Sequence, residues 1–357
     1  MAIPDDVFVA DAVTHSYNQA ESNFRVPRYA EQISEIGMGL EMGMPEGYSR
    51  TAETFLSDWP IEDTENVVFR ESPTDFAVFH PQTIMVYHDG LTSFEKAQAF
   101  VERNPTRSRA LAGVDVVGSD DPQAELTRQV DALDAHGVKV YPSYWEDDGT
   151  HEPFFMDDPE VAFPLWEHAA DLGLDVVAVH KALPFGAVPM ESYETGDVEE
   201  AAASFPDLNF EIVHGGLTFA EETGWQIGRF PNVYVNLEFT LAEIVTTPKS
   251  FTDSFQDLLR VGGKHAIDQI LWGTGAPHFH PGLLAERFWN FDFPEMESLS
   301  GPFTIDEADK RKILGENLME AHNLDKDEIL SDIEGDEWSD VDRDVEPWST
   351  TTFEVAS

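Results

Sequence analysis

The chain has 357 residues, with 21 Lys and Arg against 69 Asp and Glu, a formal net charge of −48. That charge repels phosphate backbones and anionic lipid, so no nucleic acid and no membrane surface is expected as a partner. The 41% apolar content is that of a folded chain, and the absence of Cys rules out disulfides, thiolate metal ligands and thiol nucleophiles.

Met1 to Asp6 is polar and acidic, unlike the basic and then apolar start of a signal peptide. No apolar run reaches the roughly 18 residues of a membrane span. The expectation is a soluble, cytoplasmic protein. Short runs rich in Val, Ile, Phe and Tyr then predict eight strands: Val7 to Val13, Phe76 to Phe79, Ala110 to Val116, Val138 to Tyr141, Val176 to His180, Phe210 to His214, Val233 to Phe239 and Gln269 to Trp272. Continuous apolar runs such as Val176-Val177-Ala178-Val179 suit strands buried on both faces of a parallel sheet. Helical patterns separate them at Ser93 to Arg103, Pro122 to Ala135, Pro159 to Leu172, Asp197 to Phe205, Phe219 to Arg229, Ser250 to Val261 and Ile305 to His322. Ser93 is a plausible helix N-cap, and Gly137 and Gly173 follow two of the helix ends. Strict alternation over eight repeats predicts an α/β fold, a closed (β/α)8 TIM barrel, with an open doubly wound sheet as the alternative.

Two segments depart from the repeat. Residues 22–67 form an insertion between strands 1 and 2 and are expected to make a lid. Their Gly37-Met38-Gly39 is no dinucleotide fingerprint, because Met42 stands at the third glycine position and no strand precedes it. Residues 325–357 are acidic with few periodic apolar positions, and are expected to be a solvated tail or an extension wrapping a neighbouring surface. The barrel thus spans 1–324, with 22–67 as its lid.

A barrel places its active site at the C-terminal ends of its strands. Here those ends carry His15, His80, His180, His214 and Glu238, and His278 and His280 follow the eighth strand. One His at a strand end is usually structural, but several converging on one mouth point to a site. Imidazoles from separate strands can ligate a divalent metal, which lowers the pKa of bound water to about 7. His214 precedes Gly215-Gly216, and the glycines are expected to turn the chain tightly and leave the imidazole exposed at the rim. Weaker features are Glu146 with Glu238 as a glycosidase pair, Lys139 in the middle of strand 4, and Trp145, Phe154, Phe155 and Trp166 as an aromatic wall. The first reads more simply as a solvated loop and the others as structural or core residues.

In this order the strand-end residues, with Leu271-Trp272-Gly273-Thr274 and the closing helix 304–317, resemble the amidohydrolase superfamily of metal-dependent hydrolases. The branch is that of aminocarboxymuconate-semialdehyde decarboxylase and related aromatic-acid decarboxylases. The resemblance implies a TIM barrel, a small-molecule substrate, a divalent metal with zinc first, and a homodimer or a complex with a homologous subunit. The family's strand-1 pattern, Asp-x-His-x-His, falls on Asp11, Val13 and His15, and its strand-8 Asp falls on Gly275, so two usual ligands are absent. His15 and His180 remain as the implied ligands, and His214 matches the strand-6 residue that assists catalysis.

Three readings follow. Asp11, which shares strand parity with His15, or Glu238 replaces the missing carboxylate, or His278 or His280 folds in, in a hydrolase acting on a small carboxylated or cyclic substrate, or in a non-oxidative decarboxylase of an aromatic or unsaturated acid. Alternatively, His180 and His214 act as acid and base without metal while Lys181 binds an anionic substrate. In the third, the barrel is degenerate, non-catalytic and partners another subunit.

The charge itself points to a salty medium, where carboxylate repulsion is screened within about 3 Å at molar salt. Raising KCl from about 0.1 M to about 2 M is therefore expected to raise the melting temperature. A lower melting temperature at the higher concentration would count against salt adaptation.

Overall fold

All eight predicted strands are present, and each is short. The computed structural model describes residues 3–186 and 188–356. The strands are β1 (Ala10–Thr14), β2 (Phe76–Phe79), β3 (Ser108–Ala110 and Ala112–Gly113, broken at Leu111), β4 (Gly137–Val140), β5 (Val176–His180), β6 (Asn209–Val213), β7 (Val233–Asn236) and β8 (Ile270–Leu271). Neighbours pair in parallel around the series, and Leu111 N bonds to Phe79 O (3.0 Å) across the break in β3. The seam between β1 and the chain leaving β8 is joined by Ala12 N to Trp272 O (2.8 Å), Gly275 N to Val13 O (2.9 Å) and His15 N to Ala276 O (2.8 Å). The fold is a TIM barrel.

Strand alternation separates two apolar layers. Val138, Val140, Val177, Val179, Phe210 and Ile212 face the surrounding helices. Val78, Leu111, Ala178 and Val213 fill the barrel interior. The predicted helices are all found, within a few residues at their ends. Ser93 caps its helix as expected, accepting from Lys96 N (3.3 Å). The N-terminal end of the barrel is closed by a buried polar group: Glu211 meets His322 Nε2 (3.1 Å) and Asn236 Nδ2 (2.6 Å), and His322 Nδ1 meets His136 Nε2 (2.8 Å).

The insertion after β1 forms a long helix, Pro27–Glu41, followed by shorter ones at Ala52–Phe55 and Ile61–Glu65. It is fixed around one buried cation. The Arg50 guanidinium donates to the Glu41 carboxylate through Nε (2.9 Å) and Nη2 (2.5 Å), and to the His278 carbonyl (3.2 Å). It also lies 3.6 Å over the Trp59 ring and within 5.1 Å of Trp348 and Phe353. The acidic C-terminal segment is not a free tail. After a helix at Lys326–Ile333 it returns across the lid: Glu71 accepts from Trp348 N (2.6 Å) and Thr350 N (2.7 Å), and Thr51 N donates to Glu354 O (2.7 Å). Two aromatic anchors, Trp348 and Phe353, are buried despite the lack of any apolar period.

Breaking one side of a buried ion pair leaves the other charge desolvated, at about 3–5 kcal/mol. Arg50→Met is expected to cost that much in denaturant unfolding, and Arg50→Met with Glu41→Gln clearly less. A single variant within about 1 kcal/mol of wild type would show that the pair does not secure the lid.

Candidate active site

At the C-terminal mouth the ends of β1, β5, β6 and β7 place four ionisable side chains in one line. His15 Nε2 is 3.2 Å from Glu238 Oε1, His214 Nε2 is 3.6 Å from Glu238 Oε2, and His214 Nε2 is 3.0 Å from His180 Nδ1. All four are at most 4% exposed. The register explains the convergence: His180 pairs with Val213 and Val213 with Asn236, so His214 and Glu238 leave their strands at nearly the same level.

Backbone strain gathers here too. Ala182, His214 and Phe239 all have positive φ (57°, 68° and 60°) without being glycine. Each such residue costs about 1–3 kcal/mol and persists where the surroundings over-determine it. The Gly215-Gly216 pair serves otherwise than expected. The left-handed turn is made by His214 itself, while a Cβ on Gly215 would lie 2.2 Å from Val235 Cγ2. The imidazole is buried, not exposed at the rim, because the lid covers it.

Each imidazole is anchored on its far side by a backbone carbonyl: His15 Nδ1 on His80 O (2.7 Å), His214 Nδ1 on Glu238 O (3.2 Å) and His180 Nε2 on Leu183 O (2.9 Å). A carbonyl only accepts, so these nitrogens carry the protons. Their other nitrogens then present lone pairs toward Glu238 and toward one another. Burial holds His180 and His214 well below the ordinary imidazole pKa of 6.5, which favours this neutral state. Lone pairs face lone pairs and a carboxylate, and only positive charge between them, as protons or as a cation, satisfies the group. In donor chemistry the set fits a divalent metal, with each ligand's second nitrogen oriented as metal-bound imidazoles usually are. Among the described residues, however, no group of three His, Asp or Glu side chains could hold a metal ion as placed.

Glu238 occupies the space that Gly275 leaves. A Cβ at Gly275, where φ is +66°, would lie 2.6 Å from Glu238 Oε1. The position where the resemblance implies an Asp on strand 8 is thus empty of side chain, and a carboxylate from strand 7 stands against it.

The pocket above this line has a cavity volume of about 80 Å³ and is lined from the barrel by Tyr17, Gln82, Phe239 and His278, and from the lid helix by Ile33, Ile36 and Leu40. Among the described residues no Lys or Arg lines it, although the buried Lys139 ammonium is close enough to Glu238 to interact with it. His278 contributes a wall, its Nε2 bonded to Gly37 O (3.1 Å) on the lid.

Several expected residues lie elsewhere. Lys181 follows inward-facing His180 and so points to the other side of the strand, where its ammonium donates to Asp197 Oδ2 (2.7 Å) and Ser192 O (2.9 Å). It lines no part of the pocket and cannot bind substrate there. Asp11 is also outside the constellation. The register of β1 on β2 slips between Asp11 and Thr14, which breaks the parity with His15, and the Asp11 carboxylate accepts from Thr274 N (2.9 Å), Thr274 Oγ1 and Val13 N (3.1 Å). It ties β1 to the chain leaving β8. His280 is bonded to Glu71 (3.0 Å) beneath the C-terminal segment. Glu146 is exposed in a hairpin turn, and Trp145, Phe154 and Trp166 are core, so neither a glycosidase pair nor that aromatic wall exists. Gln19, Phe185 and the individual lid residues Ile33, Ile36 and Leu40 carry no local sequence signal for the mouth, whereas Phe239 reaches it as the neighbour of Glu238.

Burial raises the Asp11 carboxyl to about 7, well above its ordinary 3.8. A raised folded-state pKa stabilises the fold only while the group is protonated, so this contribution is lost as pH rises from about 4 to 7. Asp11→Asn keeps the shape without the charge. Its unfolding free energy is expected to gain on wild type steadily across that window and to hold constant above it. Parallel pH curves for the two proteins would show that Asp11 titrates normally.

Comparison with known proteins agrees with this architecture. No curated protein sequence matches the chain. Among solved structures, an uncharacterised TIM-barrel protein of Bordetella bronchiseptica superposes with a TM-score of 0.60 at 17% identity, covering 92% of this chain and 100% of that one. A dihydroxybenzoic acid decarboxylase of a Polaromonas species, solved with bound manganese and 2-nitroresorcinol, gives 0.57 at 16% identity (91% and 99% covered). A 2,6-dihydroxybenzoate decarboxylase in complex with 2,6-dihydroxybenzoate gives 0.55 at 18% (89% and 100%). At these identities the likeness is one of fold. The family model described as amidohydrolase matches residues 57–317, and the chain therefore belongs to the amidohydrolase family.

Proposed function

We propose that the chain is a non-oxidative decarboxylase of a small aromatic or unsaturated acid, with a divalent metal held by His15, His180 and Glu238. The observation that carries this reading is a buried chain of proton-bearing groups at the floor of a largely apolar pocket that, among the described residues, no Lys or Arg lines. A substrate carboxylate entering such a pocket is stripped of water and meets Glu238, so it is held only if positive charge accompanies it. The metal, when bound, supplies that charge and polarises the acid group.

The remaining work falls to the chain. Ile33, Ile36 and Leu40 of the lid and Phe239 of the barrel exclude water and sandwich a flat ring. His214 holds its Nδ1 proton on the Glu238 carbonyl, leaving Nε2 as the atom that exchanges a proton. His214 Nε2, unprotonated in the neutral ring, takes up one proton from solvent as substrate enters and delivers it to the carbon that loses carbon dioxide, which returns the imidazole to its neutral state. Hydrolysis of a cyclic substrate uses the same mouth, but it needs a held water where this pocket presents apolar walls. Two of the structural neighbours are decarboxylases, which supports the same choice. The −48 charge supports a high-salt cytoplasm as the working medium.

The test is metal content and product chemistry in molar KCl. Protein loaded with manganese or zinc is expected to retain about one equivalent, and His180→Ala to lose it. Hydroxybenzoic acids are expected to release carbon dioxide, with one solvent deuterium at the vacated carbon in heavy water. His214→Asn is expected to keep the metal and lose about 10²–10⁴-fold in kcat. Lactone or amide cleavage without carbon dioxide would establish the hydrolase instead. Neither metal nor turnover would leave the non-catalytic barrel.

A further inference from the structure

Among the described residues, each polar side chain on the pocket wall has at least one hydrogen-bond partner, with one exception. Tyr17 donates its hydroxyl to Gly275 O (3.3 Å), Gln82 Oε1 accepts from Thr92 (2.9 Å), and His278 is bonded to Gly37 O (3.1 Å). The imidazoles and Glu238 are bonded to one another. Gln19 differs. It lines the pocket at 3% exposure, and its Oε1 is buried without a hydrogen-bond partner. Its backbone is fixed, because Gln19 N donates to Ser57 O (3.0 Å) and so ties this residue to the lid segment. A buried amide held in place with an unused polar end is matched by a polar group on whatever fills the pocket.

The chemistry of that group is constrained. The unpaired atom is the amide oxygen, which accepts and carries no charge, so it suits a neutral donor such as a hydroxyl. A second carboxylate would meet no Lys or Arg among the described residues of the pocket wall.

We propose that Gln19 is a specificity-determining residue whose Oε1 accepts a hydrogen bond from a neutral hydroxyl substituent, making the substrate a monoacid with one such group rather than a diacid. This rests on the acid-binding reading of the same pocket. It adds what that reading leaves open, namely which ring acids are accepted.

Binding titrations on the manganese-loaded full chain in molar KCl test it. The probes are the 3- and 4-hydroxybenzoates, their methyl isosteres, and benzene-1,3-dicarboxylate. Wild type is expected to prefer one hydroxybenzoate over its methyl isostere by about tenfold and to bind the dicarboxylate more weakly than either. Gln19→Leu is expected to erase the hydroxyl preference while still binding the methyl acid. Gln19→Met, closer in shape, gives the same readout if the leucine variant folds poorly. A hydroxyl preference that survives both substitutions overturns the role of Gln19, as does a dicarboxylate bound as tightly as the monoacids. In either case the acid-binding reading stands. If no probe binds wild type, the acid-binding reading falls and the subsite falls with it.

Discussion

The whole mouth of the barrel depends on where one carboxylate is allowed to stand. Glu238 reaches inward from the end of β7 because Gly275 has no Cβ to stop it. From there it is within hydrogen-bonding reach of His15 and beside His214, which in turn touches His180. Any side chain at 275 would displace the carboxylate and separate the imidazoles from their counter-charge. The two missing ligand positions are thus not equivalent losses. Gly275 is compensated by a carboxylate arriving from the next strand, whereas Val13 is an apolar residue packed in the barrel interior. The site has three imidazoles and a carboxylate, assembled from a different set of strands than the family pattern implies.

Desolvation converts this arrangement into chemistry. The same burial that pushes His180 and His214 toward neutrality leaves their lone pairs directed at each other, since backbone carbonyls hold the opposite nitrogens. A group in that condition has a strong appetite for positive charge, which is the property a metal site or a proton-transfer site needs. The lid completes it. Arg50, paired with Glu41 and surrounded by Trp59, Trp348 and Phe353, links the insertion, the C-terminal segment and the His278 carbonyl beside the pocket. The cover over the site is therefore secured from two distant parts of the chain.

The sequence shows the barrel plainly because each strand is a short apolar run bounded by a helix, and that periodicity is local. It also shows His15, His180, His214 and Glu238, because being last on a strand is a topological property visible without any contact. What it hides are properties that need geometry. Lys181 stands next to His180 in sequence, but alternation sends it to Asp197 on the far side of the strand. Asp11 has the right count from His15, and only a slip in strand register reveals that the count does not hold. Gln19 and the lid leucine and isoleucines reach the pocket by long-range folding. The C-terminal segment offers no period at all. It is held by isolated anchors, Trp348 and Phe353, and by carboxylates that accept its backbone amides.

The net charge and the pocket place opposite demands on an acidic substrate. A molecule of −48 repels an approaching carboxylate over many ångströms in dilute buffer, and the pocket floor adds Glu238, which the buried Lys139 ammonium offsets only from behind the pocket wall. At molar salt the long-range part vanishes within about 3 Å, leaving only the short-range term at the site. That short-range term is set by the imidazole line, which is buried and so is screened far less by salt. An acid substrate is thus compatible with this surface only where salt removes the repulsion outside and buried positive charge supplies the attraction inside. Surface and site, read separately as features of composition and of geometry, make sense together under that single condition.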